Sequence, residues 1–119
     1  MDSSRLPNYL KAHRRRSGLS QEEVAYLLGT QCGSKVCRYE RFSQQPKLET
    51  GLALEILFRT PVRELYAGTH EKVENRLARR IRALIRRIKR DKPSAVTQRK
   101  LELLTAIIEA IESHAQTTS

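Results

Sequence analysis

Residues 18–42, GLSQEEVAYLLGTQCGSKVCRYERF, decide the fold. Ser20 is followed three residues later by Glu23, the spacing of a capping box, in which each side chain accepts a hydrogen bond from the other residue's backbone N–H at a helix start. Leu19 and Val24 supply the apolar staple across it. Val24, Ala25, Leu27 and Leu28 then give an inward face, and Gly29 ends the helix. A turn of Thr30, Gln31, Cys32 and Gly33 leads to a further helix from about Ser34 to Arg41, with Val36 and Tyr39 on its apolar side and Lys35, Arg38 and Arg41 on its basic side.

Working outward, a helix over Asn8 to about Ser17 comes first, with Leu10 and His13 three apart, Arg14, Arg15 and Arg16 toward its end, and Gly18 as its stop. After the loop containing Pro46, the positions of Leu48, Leu52, Ile56 and Leu57 predict a fourth helix to about Phe58, with Leu52 and Leu57 in the core. Thr60 and Pro61 read as an N-cap and first-turn proline for a short fifth helix carrying Val62, Leu65 and Tyr66, and Gly68 closes the unit. No stretch shows sustained two-residue alternation, so the chain is expected to be all-α, with a five-helix domain over 1–69.

From His70 to Lys92 there are ten Lys or Arg against three acids. Val73, Leu77, Ile81, Leu84 and Ile88 form one apolar stripe along this basic helix. Asp91-Lys92-Pro93-Ser94 breaks it, and Leu101, Leu104, Ile108, Ile111 and Ala115 mark a last helix, so 70–119 is expected to be a basic helical hairpin.

A chain of 119 residues with a formal charge of +10 points to a polyanionic partner, most simply nucleic acid. The N-terminal residues hold no apolar run of the kind found in a secretory signal, and no stretch approaches membrane-spanning length, so a cytoplasmic protein without a membrane partner is expected. Cys32 and Cys37 are spaced wrongly for a C-x-x-C site, and the histidines at 13, 70 and 114 are scattered, so neither metal nor cofactor is expected. Paired carboxylates, a nucleophile with its base, and a Gly-rich phosphate loop are all missing at workable spacing, so catalysis is not expected.

Residues 18–29, then SKVCRYERF from Ser34, QQPKLETGLALEIL and PVRELYAG, together resemble the XRE-type family, the repressor-like DNA-binding domains of lambda repressor and Cro, over about Tyr9 to Gly68. The resemblance implies that the second helix of the pair lies in the major groove with Ser34, Lys35, Cys37 and Arg38 facing the bases. Arg38 leads among these, because a guanidinium can donate two bonds to one guanine edge; the alternative is a phosphate contact. By the same resemblance Gln21 grips a phosphate, Ser43, Gln44, Gln45 and Lys47 form a second backbone clamp, and Arg14 pairs with Glu40 to orient the recognition helix. His13, where the family usually has an aliphatic residue, is expected to pack half-buried. Two features depart from the pattern. One extra residue stands between Gly29 and Val36, which leaves the roles of Gln31, Cys32 and Gly33 open. Phe42 replaces a common glycine, so the loop must close otherwise or the helix extend.

The hairpin lies outside the resemblance. Its apolar stripe of Val73, Leu77, Ile81, Leu84 and Ile88 predicts homodimerisation, against the alternative that the hairpin folds back on its own domain. Arg79, Arg82, Arg86 and Arg90, with the neighbouring Arg76, Arg80 and Arg87, are candidates for contacts to the DNA backbone. The expected function is a bacterial or phage-encoded regulator of transcription, a repressor that binds specific double-stranded DNA. Two alternatives stand beside it: a DNA-binding antitoxin whose hairpin wraps a toxin, and a basic RNA-associated or scaffold protein.

Overall fold

A computed structural model describes residues 8–30 and 32–118, with side chains as far as Ala115. Gln31 of the turn lies outside the described residues. The described chain is helical and without strands: α1 (Leu10–Ser17), α2 (Gln21–Leu28), α3 (Gly33–Glu40), α4 (Leu48–Phe58), α5 (Val62–Leu65), α6 (Ala67–Ile88) and α7 (Ala95–Thr118). Among the described residues no helix is long and apolar enough to cross a membrane. The chain divides into two compact units, Met1–Glu71 and Lys72–Ser119, and the division falls inside α6.

The core of the first unit gathers Leu10 from α1, Val24 and Ala25 from α2, Val36 and Tyr39 from α3, Leu54 from α4, Leu65 from α5, and Tyr66. The capping box forms as expected: Ser20 Oγ accepts the N–H of Glu23, and Glu23 Oε1 accepts that of Ser20. Helix α1 starts two residues later than expected, because Asn8 is its buried anchor rather than its first residue. The Asn8 carbonyl oxygen accepts the N–H of Leu10, and its amide donates to the Tyr39 carbonyl at the end of α3.

Four expectations about packing change. Leu27 is exposed while Val24 and Ala25 fill the core, because an eight-residue helix presents only its inner stripe. Leu48, Leu52 and Ile56 are 77%, 47% and 77% exposed, and Gly51 and Leu54 are buried in their place, with Leu57 and Phe58 packed beside them. Helix α4 is apolar nearly all round, so its periodicity fits two rotations. The structure takes the one in which Glu55 Oε1 accepts the N–H of Val62 and so caps α5 from outside. That bond does the work expected of Thr60, whose hydroxyl instead donates to the Phe58 carbonyl, and Pro61 stands at the cap position. Gly68 does not close the unit: it is buried within α6, which begins directly after Tyr66.

The loop after α3 closes through Phe42 itself, which adopts a left-handed conformation at φ +60°. A non-glycine residue there costs about 1–2 kcal/mol, and the ring offsets this by packing against the core.

In the second unit α6 and α7 form an antiparallel hairpin. Arg82 Nη2 donates to Glu112 Oε2 at 2.9 Å, and His114 lies 3.6 Å from Glu74. Ser94 caps α7: its hydroxyl accepts the N–H of Thr97, and the Thr97 hydroxyl oxygen accepts the N–H of Ser94. The single stripe expected along α6 divides. Ile81 and Ile88 are buried together with Ala78, whereas Val73, Leu77 and Leu84 are 38–48% exposed. One partner helix covers only part of so wide an apolar arc.

Candidate nucleic-acid interface

The site is built around α3, which packs closely on α2 across a connection of four residues. Gly29 supplies the left-handed turn, at φ +78°, that takes the chain out of α2. At the start of α3, Cys32 occupies the cap position without capping through its side chain. Glu22 does so from α2, its Oε2 accepting the N–H of Gly33 at 2.9 Å. A Cβ at Gly33 would stand 2.7 Å from that oxygen and 3.1 Å from the Glu22 backbone nitrogen, so a larger residue would push the Glu22 carboxylate aside and press on the start of α2. Neither Glu22 nor Gly33 is marked in the sequence, because their link crosses between helices.

Around α3, Gly33, Val36 and Tyr39 are buried, and Ser34, Arg38 and Arg41 are exposed on the opposite side. Lys35 and Cys37 are half-buried at the flanks. Of the four residues expected to face bases, Ser34 and Arg38 therefore occupy the outward centre, and Arg41 joins them, three residues beyond Arg38 on the same face. The Cys32 thiol shares a 2.8 Å hydrogen bond with the Ser34 hydroxyl, which together with backbone hydrogen bonding to Ser34 holds it below the ordinary thiol range.

The loop expected to clamp a backbone folds onto Arg38. Gln44 Oε1 accepts Arg38 Nε at 2.9 Å, while the backbone N–H groups of Ser43 and Gln44 and the Ser43 hydroxyl donate to the Arg38 carbonyl. Two separately expected sites are thus one, in which Gln44 steadies the guanidinium through one of its five N–H donors. Gln45 and Lys47 are exposed beyond it, at the start of α4.

Arg14 and Glu40 pair as the resemblance implies: the guanidinium donates from Nε to Oε2 and, at 3.2 Å, from Nη2 to Oε1. The Glu40 side chain is 2% exposed and that of Arg14 13%. The hydrogen bond to Glu40 raises the guanidinium's pKa above its ordinary value. The half-buried Gln21 also joins this cluster, its amide donating to Glu40 Oε1 at 3.0 Å, a bond that the resemblance does not imply.

The tail arginines at 79, 82, 86 and 90 are all exposed, and of these Arg82 is bound to Glu112. Among the described residues no group of three His, Cys, Asp or Glu could hold a metal ion. Comparison with models of known protein families, with characterised proteins and with solved structures gives no match for this chain.

Proposed function

We propose that the first unit is a lambda-repressor-like helix-turn-helix domain that reads duplex DNA in the major groove with α3, and that the protein is a sequence-specific repressor of transcription. The observation that carries this reading is the two-sidedness of α3: Val36 and Tyr39 fix it to the core while Ser34, Arg38 and Arg41 stand together outward. An α-helix with its side chains is about 10–12 Å across, which fits a major groove about 12 Å wide. A connection of four residues containing glycine suits a helix-turn-helix. Bound at a promoter, such a domain blocks access to it without any chemistry of its own.

Selection from random duplexes with the intact protein tests the reading. An enriched motif is expected, and Arg38→Ala is expected to weaken binding to it by about 1–3 kcal/mol and to relax preference at one base pair. A uniform loss with every preference intact would move Arg38 to the phosphate contacts. Binding that ignores duplex sequence altogether would sink the proposal.

A further inference from the structure

In the second unit the hairpin leaves apolar surface on one side only. At about 100° per residue, the apolar residues of α6 from Val73 round to Ala78 sweep roughly 140° of its circumference. Helix α7 covers the Ala78, Ile81 and Ile88 side, leaving Val73, Leu77 and Leu84 exposed. On α7 the leftover residues are Val96 and Leu103, 48% and 61% exposed. The Arg82–Glu112 hydrogen bond marks one rim of the helix contact. On each helix the leftover apolar residues lie round the contact in the opposite sense, about 80–100° from its centre. Val73, Leu77, Leu84, Val96 and Leu103 therefore lie on the same side of the hairpin, Val73 and Leu77 toward its open end and Val96 and Leu103 toward its loop.

We propose that a second copy of the chain packs on this face, α6 of each against α7 of the other, as a four-helix bundle whose two-fold axis runs parallel to the helices. Charge selects this arrangement over α6 on α6. Helix α6 carries seven Lys or Arg against two Glu, and α7 two against three. Arg76, Arg80 and Arg87 line the outer rim of the α6 part of the face. On α7 the matching rim has Arg99, then Ala106 and Ala110, with Glu102 and Glu109 just beyond. A two-fold axis along the bundle keeps equal heights, which sets Arg80 beside the partner subunit's Glu109 and Arg87 beside the partner subunit's Glu102. Two helices side by side offer on the order of 550 Å² per copy, so the pair buries roughly 1,100 Å², near the lower limit for a specific interface. The pairing does not depend on the DNA reading.

Sedimentation velocity of the intact chain without DNA, over a range of concentrations, tests the pairing apart from any DNA binding. A reversible dimer is expected, and Leu77→Glu with Leu103→Glu is expected to leave a monomer whose helix content by circular dichroism is retained. The exposed charges supply a test that does not touch apolar packing. Arg80→Glu is expected to raise the dimer dissociation constant about two- to fivefold, and adding Glu109→Arg to restore it. Tighter pairing of Arg80→Glu would overturn the α6-on-α7 arrangement. A monomeric wild-type chain at hundreds of micromolar would overturn the proposal. So would a dimer lost through Leu52→Ser with Ile56→Ser on α4 but kept in the Leu77→Glu, Leu103→Glu chain.

Discussion

Glu40 accepts donors from Arg14 and from Gln21 on its two carboxylate oxygens, and so joins α1, the start of α2 and the end of α3 at one nearly buried side chain. Removing one member leaves the others without their partner in a poorly hydrated place. Glu40→Ala is accordingly expected to cost on the order of 3 kcal/mol, whereas Arg14→Met with Glu40→Met together should cost much less, because no orphaned charge remains. Chemical denaturation of the variants measures both. A cost below about 1 kcal/mol for Glu40→Ala would reduce the pair to an ordinary surface contact. His13 carries a pH dependence. Burial first, and then the charge of Arg16, hold its imidazole below the ordinary value of 6.5, with Glu64 pulling the other way. The folded protein thus binds this proton less readily than the unfolded chain. The contribution to stability is full above pH 6.5 and is lost as pH falls through the lowered folded value. His13→Leu is expected to remove that part of the acid-side slope in urea midpoints, and an unchanged slope would assign it elsewhere. The ring lies 6.2 Å from that of Phe58, a packing position.

At the scale of elements, helix ends are held in two ways. Helices α2 and α7 carry their caps in adjacent sequence, at Ser20 with Glu23 and at Ser94 with Thr97. Helices α3 and α5 borrow theirs from a neighbouring helix, through Glu22 and Glu55. The exit of α4 has a weaker solution, since Arg59 takes the left-handed conformation at φ +53° and is exposed. A glycine there escapes about 1–2 kcal/mol of steric cost while giving back about 0.4–1 kcal/mol through the freer unfolded chain. Arg59→Gly is therefore expected to raise stability by roughly 0.5–1 kcal/mol, seen as a higher denaturant midpoint with unchanged slope. A drop in midpoint would show that the arginine side chain contributes more than its backbone costs.

At the scale of the whole molecule, the basic residues on the outer surface of α6 and just beyond it bear on the DNA reading. Changing Arg79, Arg86 and Arg90 to Gln spares the Arg82–Glu112 bond and the buried side of the hairpin. If these groups meet phosphates, the plot of log affinity against log salt should become shallower by about 0.9 for each phosphate no longer neutralised, up to roughly 2.7 for three, with the selected motif unchanged. Salt titration on one fixed duplex reads this directly, and an unaltered slope would take the hairpin out of the DNA interface.

Features that depend on neighbours along the chain are legible without the structure. The capping box at Ser20, the left-handed exit at Gly29, the two-sided pattern of α3 and the break before α7 are all local, and a few adjacent residues set their backbone energies. Arg38 and Ser34 are readable as outward residues for the same reason, because burial of Val36 and Tyr39 fixes the rotation of so short a helix. Whatever joins residues distant in the chain is settled by packing between helices. Helix α4 is apolar on most sides, and in the folded protein it takes the rotation that buries Gly51 and Leu54 and brings Glu55 to Val62. The stripe on α6 reads as one face and divides into two, because only a neighbouring helix can determine which part of a wide apolar arc is covered. The bond from Gln21 to Glu40, nineteen residues away, is of the same kind. Such a side chain goes where its hydrogen bond is best satisfied in the folded protein, and its neighbours in sequence do not specify that place.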